Sequence, residues 1–295
     1  MMSKFTFLIL LLVLFGCQNK NPCKTLEESV PSKDGVIVSY EVRGCGGIAI
    51  IFIHGWCSNR SFWNEQLDTL SQIYKTIAIN LPGHGESGRN RNKWSISSFA
   101  DDVESVIQHQ KLDHFVLIGH SMGGLVALEV APRLQDKVIG LIAIESISNV
   151  DSVVAPEAME PFYAALEADF SGTLRMAMPR MFSSQTPEKI VQWVTDNSIR
   201  ADSTMAISIA RDASLISEKD LLSSAKIPIR CIYGEYGDLN ELYSRVEANS
   251  KYANYKAVLI KNVGHFPFLE NPKETDKYLM MYITELVDRF TTADK

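Results

Sequence analysis

Positive charge is scarce: 29 Lys and Arg stand against 35 Asp and Glu, for a net charge of −6, and no run of basic residues occurs. A nucleic acid or an anionic lipid surface is therefore a poor principal partner. The five cysteines include no Cys-x-x-Cys and no zinc-ribbon spacing, so metal and redox chemistry have no sequence support, and neither metal nor cofactor is expected. Internal repeats and low-complexity tracts are also missing. The 11-residue apolar run Phe5 to Phe15, broken by Thr6, is shorter than the roughly 20 residues a membrane-spanning helix needs. What is present is ordinary globular usage, 46% hydrophobic and 22% charged over 295 residues, enough for one large α/β domain or two smaller ones. Small molecules are the expected targets.

The apolar run follows Met-Met-Ser-Lys and reads as the h-region of a signal peptide behind a basic n-region. Its continuation Leu14-Phe15-Gly16-Cys17 resembles a bacterial lipoprotein box. That resemblance implies cleavage after residue 16, a diacylglyceryl group on Cys17, and attachment to the extracytoplasmic side of the cell envelope; without lipidation the chain would be secreted. Residues 17–32 would form a polar tether. The remaining Cys23, Cys45, Cys57 and Cys231 allow three connectivities in an oxidising compartment. Cys23 and Cys45 flank the first strand pattern and are a candidate pair, whereas Cys231 sits in an apolar run and reads as a buried thiol.

Val36–Val42 has the β-branched, partly alternating character of a half-exposed strand, and a Gly-rich turn follows it. Ile48–Ile53, Thr76–Ile79, Phe115–Ile118, Val138–Ile144, Ile229–Tyr233 and Ala257–Ile260 are short continuous apolar runs, as expected of strands buried on both faces of a parallel sheet. Helical spacing appears at Phe99, Val103, Val106 and Ile107, and again at Leu279, Ile283, Leu286 and Phe290. The alternation predicts a doubly wound, mostly parallel sheet built from residues 33–148 and 225–295. It stops over residues 149–224, where Glu157–Ala168, Pro187–Thr195 and Thr204–Ile216 read as successive helices. This is a predicted helical cap; its Phe162, Tyr163, Met176, Met178, Met181, Phe182 and Trp193 could singly form the insert's own core, but as a set they suggest an apolar underside suited to pocket walls.

Chemistry concentrates at Gly119-His120-Ser121-Met122-Gly123-Gly124, which lies between a predicted strand and a helix-compatible stretch. Glycines two residues either side of Ser121 permit the tight turn that projects its hydroxyl. A serine needs a base that accepts its proton near neutral pH. Of six histidines, His109 and His114 read as solvated, His54 and His84 as structural, and His120 as pointing away from the site. His265, directly after the last strand, is the candidate base. Asp238 is the candidate acid, giving the chain order Ser, Asp, His; Glu235 and Glu145 compete for the role, Glu145 because its strand opens at the same sheet edge. Backbone N–H groups of Met122 and Trp56 are the candidate oxyanion donors.

With His54-Gly55-Trp56, Phe62-Trp63, Leu81-Pro82-Gly83-His84-Gly85-Glu86-Ser87, Gly119 to Gly124, Asp238 and Gly264-His265-Phe266-Pro267 in this order, the chain resembles the α/β-hydrolase superfamily over residues 33 to 290. The likeness is to its serine-nucleophile branch, of the lid-bearing esterase, lactonase and haloperoxidase-like type. It implies Ser121 as nucleophile, His265 as base, Asp238 as acid, and hydrolysis of a small or medium apolar ester or lactone through an acyl-enzyme. Carbon–carbon bond hydrolysis, cofactor-free perhydrolysis and a non-catalytic ligand receptor are the alternatives on the same fold. Two departures stand out. Asn80 occupies a position where the family usually has Asp, and Asp238 lies four residues beyond Gly234 rather than three.

Overall fold

The computed structural model describes residues 24–147, 149–152, 155–235 and 239–293. Cys17, Cys23 and Asp238 lie outside them. One eight-stranded sheet runs through the described residues in the order β1-β2-β4-β3-β5-β6-β7-β8. Its strands are β1 (Leu26–Pro31), β2 (Ile37–Arg43), β3 (Ala49–Ile53), β4 (Lys75–Ile79), β5 (Phe115–His120), β6 (Val138–Ile144), β7 (Ile229–Glu235) and β8 (Tyr255–Lys261). β1, β2 and β4 pair antiparallel, and every other pairing is parallel. The apolar runs become β3 to β8 because a strand covered by helices on both faces has no polar side to present. Thus β3, β5 and β6 are buried at every position.

The tether reading is corrected at its C-terminal end. Leu26–Pro31 is not a free polar linker but edge strand β1, paired with β2 from Leu26↔Val42 to Pro31↔Ile37. Its charged, largely exposed side chains suit an edge that must not recruit another chain. Cys45 is disulfide-bonded, its partner lying outside the described residues, while Cys57 and Cys231 are free buried thiols. Burial pushes the Cys231 thiol up to about 12, so it is inert at neutral pH.

Helices α1 (Asn64–Leu70), α2 (Ile96–His109), α3 (Met122–Val130), α9 (Leu239–Ser250), α10 (Pro267–Glu270) and α11 (Pro272–Ala293) accompany the sheet strands. The start of α2 is fixed by a capping box in which Ser95 and Ser98 satisfy each other's backbone N–H groups. Between β6 and β7 every described element is helical: α4 (Glu160–Ala168), α5 (Phe170–Ala177), α6 (Glu188–Ser198), α7 (Ser203–Ser214), α8 (Glu218–Ala225) and two 3₁₀ turns. The insert is bolted to the core through α7. The Trp56 indole N–H donates to the Ala206 carbonyl (2.7 Å), and the Asp212 carboxylate accepts the Ile96 N–H (2.8 Å).

Asn80 shows why its amide stands where the family usually has Asp. It is fully buried; its Oδ1 accepts the Arg60 backbone N–H (2.8 Å), while its Nδ2 donates to Ser39 Oγ (3.0 Å) and to the Glu86 carboxylate. A carboxylate there would lose both donations and face Glu86 with like charge. Asn80→Asp is expected to lower unfolding stability by about 1–2 kcal/mol, read from urea midpoints, and Glu86→Gln in the same background is expected to restore part of it.

Candidate active site

Strand β5 delivers Ser121 to the C-terminal rim of the sheet. Its backbone turns at φ 50°, ψ −120°, between the last residue of β5 and the first of α3. The turn closes only because its glycines lack side chains: a Cβ on Gly123 would stand 2.3 Å from the Ile53 carbonyl oxygen, and one on Gly119 would stand 2.4 Å from that of Gly123. The elbow therefore packs directly on the end of β3, beside the His54-Gly55-Trp56 loop.

His265 follows β8 in a loop held from several sides. Its N–H donates to the Met181 carbonyl of the insert (2.7 Å), and its own carbonyl accepts from His120 Nε2 (2.8 Å). Glu270 gathers the same loop, accepting N–H bonds from Gly264 (2.9 Å), Phe266 (3.2 Å) and Ser183 of the insert (3.2 Å). His120 is not among the walls of the Ser121 cavity, but it braces the base from behind, with ring centroids 4.8 Å apart. Local spacing does not mark the His120–His265 contact or the Glu270–Ser183 bond, because both join distant segments.

Among the described residues the carboxylate at His265 is that of Glu145, the residue after β6. Its Oε2 lies 3.3 Å from His265 Nδ1, and its Oε1 accepts the Gly234 N–H. The Glu145 side chain is 6% exposed and that of His265 is 18% exposed. Glu145 and Ile147 both take left-handed backbone conformations, at φ 48° and φ 63°. A β-branched residue avoids that region, so the turn needs external support. Tyr233 supplies it: its hydroxyl lies 2.8 Å from the Ser146 carbonyl, 2.9 Å from that of Ile147 and 2.6 Å from the Tyr255 hydroxyl.

Ser121, Met122, Glu145, Arg245 and His265 line one cavity of about 400 Å³. Trp56 is not among its walls; its indole serves the insert instead, while its backbone follows β3 beside the elbow. The expected apolar underside of the insert is also corrected. Phe182 stacks on Phe266 (5.0 Å), Phe162 meets Trp56 (6.2 Å), and Met178 and Leu174 are buried in the core, so these groups pack rather than line this cavity. Among the described residues no cluster of His, Cys, Asp and Glu suits a metal ion.

The alpha/beta hydrolase fold family matches residues 48–272. The chain belongs to that family. This hydrolase is 24% identical over 242 residues to a pimeloyl-[acyl-carrier protein] methyl ester esterase of Aeromonas hydrophila, covering 77% of this chain and 92% of that one. Among solved structures it resembles a thermophilic esterase from Thermogutta terrifontis, with a TM-score of 0.78, 21% identity, and coverage of 88% of this chain and 99% of that one. It also resembles Est816, an N-acyl homoserine lactone degrading enzyme, with a TM-score of 0.74, 26% identity, and coverage of 86% and 100%.

Beneath the site the hydrolase buries three histidines in neutral form. Burial lowers His54 to about 4, and lowers His84 and His120 well below the usual imidazole value, with neighbouring histidines adding to the effect in the last two. The His54 tautomer is fixed, since Nδ1–H donates to the Gly55 carbonyl (2.8 Å) and Nε2 accepts the Leu81 N–H (3.0 Å). An unfolded chain binds protons at these residues near pH 6.5, whereas the folded chain resists until lower pH. Stability is thus complete above about pH 6.5 and falls as the pH drops towards 4, by roughly 3 kcal/mol for His54 alone once both states are protonated. Urea midpoints are expected to fall between pH 7.5 and pH 5, and less steeply in His120→Gln, whose amide can still donate to the His265 carbonyl.

Proposed function

We propose that this carboxylic ester hydrolase cleaves small or medium apolar esters or lactones through an acyl-enzyme on Ser121. The observation that carries the reading is the convergence of a serine on a strained strand-to-helix turn with an imidazole whose Nδ1 already faces a buried carboxylate. Nδ1–H donating to Glu145 leaves the Nε2 lone pair of His265 available as a base. In this scheme Ser121 Oγ attacks the ester carbonyl carbon and its proton passes to His265 Nε2. The developing oxyanion is held by the Met122 and Trp56 N–H groups, and collapse expels the alcohol with the proton from His265. Water then repeats the sequence, its proton going to His265 and its oxygen to the acyl carbon, which releases the acid and restores Ser121. The likeness to a methyl ester esterase and to a lactone-degrading enzyme supports the choice of bond.

The remaining assignments are proposals of the same kind. Residues 149–224 form a cap, Cys23 is the partner of Cys45, and lipidation at Cys17 holds the enzyme on the extracytoplasmic side of the envelope. Asp238 is the acid expected from chain order and lies outside the described residues; Glu145, whose Oε2 lies 3.3 Å from His265 Nδ1, is the acid in this reading.

Ser121→Ala is expected to lower kcat for p-nitrophenyl acetate by roughly 10⁴–10⁶, and near-normal turnover would remove Ser121 from the mechanism. For the acid, Glu145→Gln is expected to lower kcat at least about a hundredfold, with Asp238→Asn having a much smaller effect. The opposite ranking would return the role to Asp238.

A further inference from the structure

The cavity at Ser121 has a neighbour. A second cavity of about 790 Å³ shares Ala213 and Glu218 with it. The same three segments line both. The loop after β6 contributes Ser146 and Ile147 to the inner cavity and Val150 to the outer one; α9 contributes Arg245 to the inner and Ser244 to the outer; the end of α7 and the start of α8 border the two together. Polarity changes along the path. The inner end carries Ser121, Glu145, Arg245 and His265, whereas Val150, Pro156, Met159, Leu215 and Ile216 border the outer end.

The N-terminal part of α7 is tied to the core. The Trp56–Ala206 bond seals α7 against the loop after β3, and the Asp202 N–H donates to the Gly83 carbonyl at the start of the same helix (3.3 Å). Met205 packs so close to Gly83 that a Cβ there would stand 2.7 Å from its Cγ. Ala213, at the end of α7, borders both cavities. There Leu215 is 73% exposed and Met159 37% exposed. Neither contributes to the buried core, and exposed apolar groups at the mouth of a cavity mark a binding surface.

From this shared border and its exposed apolar groups we infer that the outer groove takes the hydrocarbon tail of the ester, which passes Ala213 from the reaction cavity and lies between the loop after β6 and the turn joining α7 to α8. The inference rests on the ester-hydrolase reading of the same site and adds the substrate class: esters with one medium, unbranched aliphatic chain. The chain can belong to the acyl or to the alcohol part, and the two are separable by experiment.

The test is kcat/KM for p-nitrophenyl acetate, butyrate, hexanoate and octanoate, and for methyl to octyl acetates, all below their critical micelle concentrations. In one of the two series the value is expected to rise at least about tenfold from the shortest to the longest member, since each buried methylene adds favourable transfer energy. Ala213→Trp, which narrows the junction, and Met159→Glu, which charges the exposed wall, are each expected to cut the long-to-short ratio at least about fivefold. Because the readout is a ratio within each variant, a general loss of folding does not imitate the effect. Flat behaviour in both series, or ratios unchanged in both variants, overturns the groove. Hydrolysis of p-nitrophenyl acetate that survives Ser121→Ala would instead overturn the underlying reading, so the two failures are distinguishable.

Discussion

The C-terminal rim of the sheet is held in backbone conformations that L-residues avoid. Of the non-glycine residues at positive φ, Cys57 lies just past β3, Ser121 directly after β5, Glu145 and Ile147 after β6, and Asn262 directly after β8. Each such position costs roughly 1–3 kcal/mol and persists only where its surroundings over-determine it. The strands supply that determination, since β3, β5 and β6 are buried throughout and fixed in parallel register. Strain at the rim is thus carried by the core beneath it, and in return side chains from the loops after β5, β6 and β8 are aimed at one volume.

A second layer converts this aim into a fixed arrangement. His120 and Glu270 hold the His265 loop, Tyr233 and Tyr255 hold the turn that carries Glu145, and the glycines of the elbow let Ser121 sit against β3. These supports are local hydrogen bonds between segments far apart in sequence, buried where water cannot compete. The insert participates through Met181 and Ser183, which bond to the His265 loop and to Glu270. The base therefore depends on the insert for its position as well as for its cover.

The interior of the sheet was legible because a strand covered on both faces has only apolar residues to offer, and β3, β5 and β6 carry that signature throughout. The motif around Ser121 was legible for a related reason, as close backbone packing admits only glycine at 119 and 123. Edge strand β1 was not, since the polar alternation of Leu26–Pro31 is equally that of a linker until β2 is placed beside it. Nor could spacing choose between Asp238 and Glu145. The position of Glu145 beside His265 depends on a left-handed turn at a glutamate, which propensity disfavours and which contacts with Tyr233 stabilise. The apolar residues of the insert were recognised as large and adaptable, but composition did not say whether they would line the cavity or pack against Phe266 and Trp56.

The central claim is that Ser121 is made nucleophilic by His265 within this braced rim. Covalent labelling with a fluorophosphonate, mapped by peptide mass spectrometry, tests it most directly. The account predicts one label per folded chain, on Ser121, with the labelling rate collapsing in His265→Ala while the circular dichroism spectrum is unchanged. Folded wild-type protein that takes no label, or a label rate on Ser121 indifferent to the loss of His265, would contradict it.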